Sequence, residues 1–437
     1  MEERAILVGL ELKRPARQPS AAPRFSETAE DSLQELELLA GSAGAVVVDR
    51  LLQTRDAPEA ATLIGAGKVR ELQALASAQQ ADLIIFDCDL SPTQLRNLER
   101  AVECKVLDRT QLILDIFARR ARTREGHLQV ELAQLNYLLP RLTGRGVAMS
   151  RLGGGIGARG PGETKLETDR RRIYRRLRRI ERELELVRAA RATQRRKRQA
   201  VPLATAALVG YTNAGKSSLF NRLTGAGVLA DARMFATLDP TVRQVQLPSR
   251  RRALLSDMVG FIRNLPTTLV KAFRATLEEV NEAVLLLHVL DVSSPNAAEM
   301  TAHVLEVLAE IGAAGTEQLL VLNKIDLLPE HGGQIEAAAR RILSAAGVAE
   351  GSLRRTAAVS ARTGEGITEL IALIDELLPV NVGVPVRYRF PLAQAALVHQ
   401  LHESARVLRC DYCSEFIEVD AEVPESLRRW LAGFEAA

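Results

Sequence analysis

Residues Gly210-Tyr211-Thr212-Asn213-Ala214-Gly215-Lys216-Ser217 match the pattern G-x-x-x-x-G-K-[ST] in full. An apolar run, TAALV, precedes them, and SSLFNRL, starting at Ser217-Ser218, follows with helical spacing. The pattern therefore sits where a strand turns into a helix, the context in which it cradles phosphates. Its glycines let backbone N–H groups close on the phosphate oxygens. Lys216 brings a positive charge to the β- and γ-phosphates, and Ser217 offers a hydroxyl to Mg2+. Asn323-Lys324-Ile325-Asp326 follows a second apolar run, QLLVL. A carboxylate at Asp326 accepts from both the N1–H and the exocyclic amino group of guanine. Adenine presents no such donor pair, so this motif selects GTP over ATP. Ser360-Ala361-Arg362 follows another strand-like run and places a backbone N–H within reach of the guanine O6.

Two further stretches complete the set. Asp257-Met258-Val259-Gly260 follows ALLS, with Asp257 expected to hold Mg2+ through water and the Gly260 N–H to sense the γ-phosphate. Phe235-Ala236-Thr237-Leu238-Asp239 offers Thr237 as a second Mg2+ ligand, in a loop expected to order around GTP. The order along the chain is phosphate loop, Thr loop, DxxG, NKxD and SAR, which is the order of a GTPase domain. Lys216, Thr237 and Gly260 are the expected catalytic groups, and Ser217 and Thr237 the expected metal ligands. Position 261, where many GTPases carry a Gln that orients the attacking water, is Phe261. Intrinsic turnover should be slow and should rise when a partner orders the switch loops. The alternative is that Phe261 only packs and another residue positions the water.

The elements that must hold these residues follow from the apolar spacing. Ala206–Gly210, Val242–Leu247, Ala253–Asp257, Val284–Val292, Leu319–Asn323 and Ala357–Ser360 read as strands alternating with helices. Before them, Ala5–Leu10, Gly44–Val48, Asp82–Asp87 and Lys105–Leu107 read as strands. Ser26–Ala40, Lys68–Gln79, Pro92–Val102 and Arg109–Ala121 read as helices, an alternation that predicts a parallel α/β sheet. Between the two blocks, Leu128, Leu132, Leu135, Leu139 and Leu142 form one heptad-like stripe, with Pro140 expected to kink or stop its helix. Ile173, Leu177, Ile180, Leu184 and Val187 form a second stripe, so an antiparallel helical hairpin is expected. Its second helix, near Glu163–Arg198, would be about 50 Å long. A Gly-rich tip, Gly144–Gly162, carries three Arg and no acid.

The expected fold class is α/β and multidomain. Residues 1–121 form a parallel α/β nucleic-acid- or ribosome-binding domain, and residues 122–200 a basic helical hairpin. Residues 201–379 form a P-loop GTPase domain, and residues 380–437 a small α+β domain with a strand near Glu415–Asp420 and a helix near Glu425–Phe434.

Charge is unevenly spread along the chain. The whole has a formal charge of +4, yet Arg119–Ala200 holds 23 Lys/Arg against 8 Asp/Glu. A block of that kind suits nucleic acid or another polyanion better than a solvated coiled coil. Hydrophobic residues at 47% and charged residues at 26% exclude a mainly disordered chain. The longest apolar run, near Ala283–Leu287, falls far short of the roughly 20 residues a spanning helix needs. Four cysteines are too few for a disulfide scaffold, and the start MEERAILVGLELK lacks the layout of a signal peptide, so a cytoplasmic monomer is expected. Three weaker signals are discounted. Gly65-Ala-Gly67-Lys68 reads as a helix start, Cys410 and Cys413 as a structural or incidental pair, and His288 as a core residue of an apolar strand.

GYTNAGKSSLFNRLT, FATLDPT, DMVGF, NKID and SARTGEG together resemble the guanine-nucleotide motifs of HflX-type GTPases, within the Obg–HflX group. LSPTQLRNLE, DRTQLILDIFARRARTREGHLQVELAQLNYLLPRL and SRLGGGIGARGPGETKLETDRRRI resemble that family's segments before the GTPase domain, so the likeness runs from about Thr62 to Leu378. The family usually has Thr where Met258 stands, which leaves the backbone as the contributing part at that position. The resemblance implies GTP/GDP and Mg2+ as ligands. The implied partner is the large ribosomal subunit with its ribosomal RNA, and the implied role is to split or rescue stalled or idle ribosomes under stress. It also points to K+ near the β/γ-phosphates through Asn213, as in related GTPases without an arginine finger; the alternative is an Asn that caps the loop. Two other readings stay open: a GTPase acting on RNA away from ribosomes, and a nucleotide-independent RNA-binding scaffold.

Overall fold

The computed structural model describes residues 2–13, 29–142, 161–199, 203–227, 234–235, 237–263, 279–328, 332–347, 355–378, 384–413, 416–423 and 425–436. Most of the expected tip and Ala236 lie outside these residues. The chain divides into two compact units. One contains 1–185 together with 231–239 and 264–274, and the other contains 186–230, 240–263 and 275–437.

In the first unit, β1 (Glu3–Leu12), β2 (Ala45–Arg55), β3 (Leu83–Phe86) and β4 (Lys105–Asp108) form a parallel sheet in the order β2-β1-β3-β4. The strands Ala5–Val8 and Leu83–Phe86 are buried throughout, as a sheet covered on both faces requires. The helices are α1 (Ala29–Ala43), α2 (Ala66–Gln79), α3 (Pro92–Val102) and α4 (Arg109–Arg120). Local chemistry explains their starts. At α3, Ser91 and Gln94 form a reciprocal capping box with Pro92 in the first turn, and at α4 the Asp108 carboxylate accepts from the Gln111 N–H. The Gly65-Ala-Gly67-Lys68 fragment does begin a helix, with Gly65 as the N-cap of α2.

A buried charge cluster lies where β3 and β4 end. Arg109 pairs with Glu35 of α1 and, at 2.7 Å, with Asp87. Burial pulls its guanidinium down, but the two carboxylates more than offset this and hold it above its ordinary value.

α5 (Arg124–Leu142) runs through Pro140 rather than ending there. Proline stands two residues from the helix end, and the last turn has its own fastening. Arg141 donates to the Asp108 carboxylate at 3.0 Å, to the Leu90 carbonyl at 2.9 Å and to the Tyr137 carbonyl at 3.0 Å. α6 (Pro161–Gln199) is the long second helix, and the division between the units falls within it. Leu128, Leu132 and Leu135 of α5 pack against Ile180 and Leu184 of α6. The pairs Glu131–Arg176 at 2.6 Å and Arg124–Glu183 at 3.2 Å run in opposite directions along the chain, so the two helices are antiparallel.

The second unit holds a six-stranded sheet in the order β10-β9-β8-β5-β7-β6. Its strands are β5 (Thr205–Gly210), β6 (Thr241–Gln246), β7 (Arg252–Asp257), β8 (Leu285–Asp291), β9 (Glu317–Asn323) and β10 (Thr356–Ala358). Only β6, on the edge, runs antiparallel. The interleaved helices are α7 (Lys216–Thr224), α8 (Ala297–Glu310), α9 (Gly332–Ala345) and α10 (Ile367–Leu377). β5, β7, β8 and β9 all deliver their C-terminal ends to one edge, where ligands bind in open α/β sheets.

The tail has more structure than its spacing suggested. β11 (Val384–Pro391), β12 (Arg406–Tyr412) and β13 (Phe416–Val423) form an antiparallel sheet in the order β11-β13-β12, backed by α11 (Ala395–Ser404) and α12 (Glu425–Leu431). β13 alternates buried and half-buried residues and was readable; β11 and α11 owe their placement to contacts with it, through buried Tyr388, Phe390, Val398 and Leu401.

Candidate active site

β5 carries the phosphate loop, and the loop owes its path to glycines at two close approaches. A Cβ on Gly210 would strike the Val289 carbonyl of β8, and one on Gly215 (φ +92°) would strike the Asn323 amide. Asn213 also has a left-handed backbone, at φ +61°, which asparagine tolerates better than most residues. Lys216 is buried at the start of α7, its ammonium donating to the carbonyls of Gly210 at 3.1 Å and Tyr211 at 2.6 Å. Burial lowers its pKa to about 8, with the Asp257 carboxylate opposing in part.

Asp257 ends β7 and is fully buried. Three residues on, Gly260 lies so close to the phosphate loop that an added Cβ would come within 2.8 Å of both the Thr212 Cα and the Lys216 Nζ. The following segment is hydrogen-bonded directly to that loop. The Phe261 N–H donates to the Gly210 carbonyl at 3.1 Å, and the Thr212 N–H donates to the Phe261 carbonyl at 2.8 Å. Phe261 is buried in this bridge, so its side chain does pack. Met258 is buried and Val259 half-buried.

The NKxD and SAR motifs are joined to the phosphate loop by one side chain. Asn323, at the end of β9, donates from Nδ2 to the Ala214 carbonyl at 2.8 Å and accepts at Oδ1 from the Ala361 N–H at 3.0 Å. Phosphate loop, NKxD and SAR segments are thus held in one register. Ser360 donates to Asp326 Oδ1 at 2.7 Å and accepts from the Thr363 N–H, which fixes the carboxylate; Arg362 approaches its other oxygen at 3.5 Å. Lys324, with φ +66°, pairs with Asp291 at 2.6 Å, and Ile325 packs partly buried beneath the motif.

Residues 210–218, 257–260, 323–326 and 360–362 therefore share the second unit. Phe235, Thr237, Leu238 and Asp239 do not, since they fold with the first. Four residues important to the site's framework escaped the motif reading. Asp291 ends β8 in the same strand-end position as Asp257 and Asn323, a signal that was present. Arg263, Glu299 and His303 had none. The Arg263 N–H donates to the Tyr211 hydroxyl at 2.9 Å, its guanidinium pairs with Glu299 of α8, and His303 Nε2 meets the Ile262 carbonyl at 2.9 Å. His288 is buried in β8, as expected of a core residue, and burial pushes its pKa down to about 4.

A doubly wound sheet whose phosphate loop is tied by Asn323 to the NKxD and SAR segments has the architecture of a P-loop GTPase. Family models match in three consecutive spans: "GTP-binding GTPase N-terminal" at residues 30–118, "GTP-binding GTPase Middle Region" at 120–198 and "50S ribosome-binding GTPase" at 205–324. The chain is 45% identical over 433 residues to GTPase HflX of Caldanaerobacter subterraneus subsp. tengcongensis, covering 99% of this chain and 94% of that protein. It is 53% identical to GTPase HflX of Alkalihalophilus pseudofirmus over 75% of this chain and 77% of that one. To GTPase HflX of Escherichia coli it is 42% identical over 91% and 89%. The chain belongs to the HflX family of GTPases, which are P-loop enzymes that hydrolyse GTP. No described helix is long and apolar enough to cross a membrane.

Proposed function

We propose that this GTPase docks on the large ribosomal subunit through its basic hairpin, contacts ribosomal RNA there, and uses its GTP state to split or rescue stalled or idle ribosomes under stress in the cytoplasm. The observation that carries the docking is the charge of Arg119–Ala200, 23 Lys/Arg against 8 Asp/Glu, on a long helical arm. Such an arm gains affinity from phosphates with little sequence preference. The family-model description of residues 205–324 as a 50S ribosome-binding GTPase points to the same partner.

At the site, Lys216 leaves its carbonyl partners for the β/γ-phosphates, and Asp326 reads guanine. The Gly260 N–H meets the γ-phosphate, where no larger residue fits. Ser217 and Asp257 offer hard oxygen donors of the kind that would hold Mg2+, and Thr237 would be a further ligand in the GTP state. Bound Mg2+ supplies charge neutralisation on the phosphate oxygens. Exposed Asn213 is free to help hold K+. The chain acts as a monomer.

Lys216 sets a pH dependence. Its pKa of about 8 without nucleotide rises beside phosphates, so binding takes up a proton above that value. Affinity for GDP is expected to be flat below pH 8 and to fall up to about tenfold per unit above it. Titration with a fluorescent GDP from pH 7 to 9.5 measures this, and a flat profile would remove the assignment.

The test of the function is GTP turnover in KCl with and without purified large subunits. Strong stimulation is expected, lost when Gly144–Gly162 is replaced by a short uncharged linker, with slower rates throughout in NaCl. Fast turnover indifferent to ribosomes would overturn the docking reading, and equal rates in the two salts would remove K+.

A further inference from the structure

The residues just after Gly260 are held from two places within the second unit, the phosphate loop and α8. The Arg263 N–H donates to the Tyr211 hydroxyl at 2.9 Å. The Arg263 guanidinium, 7% exposed, pairs with Glu299 at 2.5 Å. The Ile262 carbonyl lies 2.9 Å from His303 Nε2, and because a carbonyl can only accept, that nitrogen carries the proton. Glu299 and His303 stand one turn apart on one face of α8. The His303 ring also meets the Tyr211 ring edge-on, with centroids 6.3 Å apart.

α8 is a firm support for these contacts. Its Val304 and Leu308 are fully buried, and Ala297 shares an apolar cluster with Leu290 of β8 and Leu322 of β9. From the other side, Tyr211 and Phe261 form a parallel bridge, with main-chain bonds from Phe261 to both Gly210 and Thr212. Each of Phe261, Ile262 and Arg263 is thus tied through its backbone. Gly260 opens this fixed run, with Thr212 and Lys216 close enough to exclude a Cβ. A residue joined to so tethered a run has little freedom in where its N–H points.

We propose that Arg263, Glu299 and Tyr211 are positioning residues for the γ-phosphate: with α8 they form a clasp that aims the Gly260 N–H, and so set how well the triphosphate binds relative to the diphosphate. The proposal rests on the reading of that N–H given above. Arg263 acts through its backbone, while its guanidinium is held by Glu299. A donor already fixed in direction gives a phosphate oxygen its full hydrogen bond, because nothing has to be ordered on binding. GDP has no γ-phosphate to meet this N–H. Slackening the clasp therefore costs the triphosphate and spares the diphosphate.

The affinities of the full chain for the non-hydrolysable β,γ-imido analogue of GTP and for GDP, both with Mg2+, test the clasp. In Glu299→Gln the analogue should weaken about five- to tenfold and GDP by less than about twofold. Glu299→Asp keeps the charge and should recover part of the loss. Should Glu299→Gln lower the Tm, Tyr211→Phe carries the test, because it removes the acceptor of the Arg263 N–H and keeps the ring against His303. It should move the ratio of the two affinities in the same direction, by about threefold. Equal weakening of both nucleotides, or no change in either, would overturn the clasp and leave these contacts as packing. Gly260→Ala separates this from the reading beneath it. If that variant keeps the parent's ratio, the Gly260 reading fails. If it loses the analogue selectively while Glu299→Gln and Tyr211→Phe do not, the clasp alone is overturned.

Discussion

Asp326→Asn is expected to weaken GTP binding by roughly 10²- to 10⁴-fold, the equivalent of two charge-assisted hydrogen bonds at about 1.5–3 kcal/mol each. In the proposed site the carboxylate would accept from two guanine donors, whereas an amide offers only one acceptor. Its NH2 group then faces the guanine amino group, donor against donor. Xanthine carries a carbonyl at that ring position, so xanthosine triphosphate should gain where GTP loses. The change should not disturb the fold, because the Ser360 hydroxyl donates to Oδ1, which asparagine keeps. Competition of the two triphosphates against a fluorescent GDP measures the shift. Unchanged guanine preference with an intact Tm would show that the base is read elsewhere.

The second large effect is on stability. Arg109→Leu should destabilise the first unit by about 3–5 kcal/mol, because it strands Glu35 and Asp87. The guanidinium is 2% exposed, and it joins α4 to α1 and to the end of β3. The loss comes less from the missing attraction than from two acids left in a poorly solvated place. The triple change Arg109→Leu, Glu35→Gln and Asp87→Asn should therefore recover most of it. Hydrogen exchange of the β3 and β4 amides reads the effect locally, which suits a chain of several domains better than one global transition. Equal protection in the parent and the single variant would mean that the cluster contributes nothing.

Much of the fold was legible because its signals are local. Fully apolar runs such as Leu83–Phe86 and Ala206–Gly210 have few alternatives to buried parallel strands. The start of α3 is written in Ser91, Pro92 and Gln94. Pro140 does not stop α5, for a non-local reason: the contacts of Arg141 with Asp108 and Leu90 hold the last turn in place. β11 was missed although its signal was present: Val386, Tyr388 and Phe390 alternate with Arg387 and Arg389, the alternation of a strand with one buried face, and pairing with β13 buries that face.

By itself the sequence supplied the residue types that a nucleotide site would need: glycines at 210, 215 and 260, the lysine at 216, the carboxylates at 257 and 326, and a basic arm before them. These are choices of residue type at short spacing, where backbone geometry and ligand chemistry leave little room. Tertiary structure alone decided how those pieces are held. Asn323 reaches partners 109 and 38 residues away in the chain and so ties three motifs together, and Arg263 fastens the segment after Gly260 to α8. The Thr loop, read as part of the nucleotide site, folds with the N-terminal unit through Asp239, Phe235 and Met234. No spacing rule could supply that, because a carboxylate's preference for a helix N-terminus does not say which helix. Only packing brings Gly126 and Asp239 together.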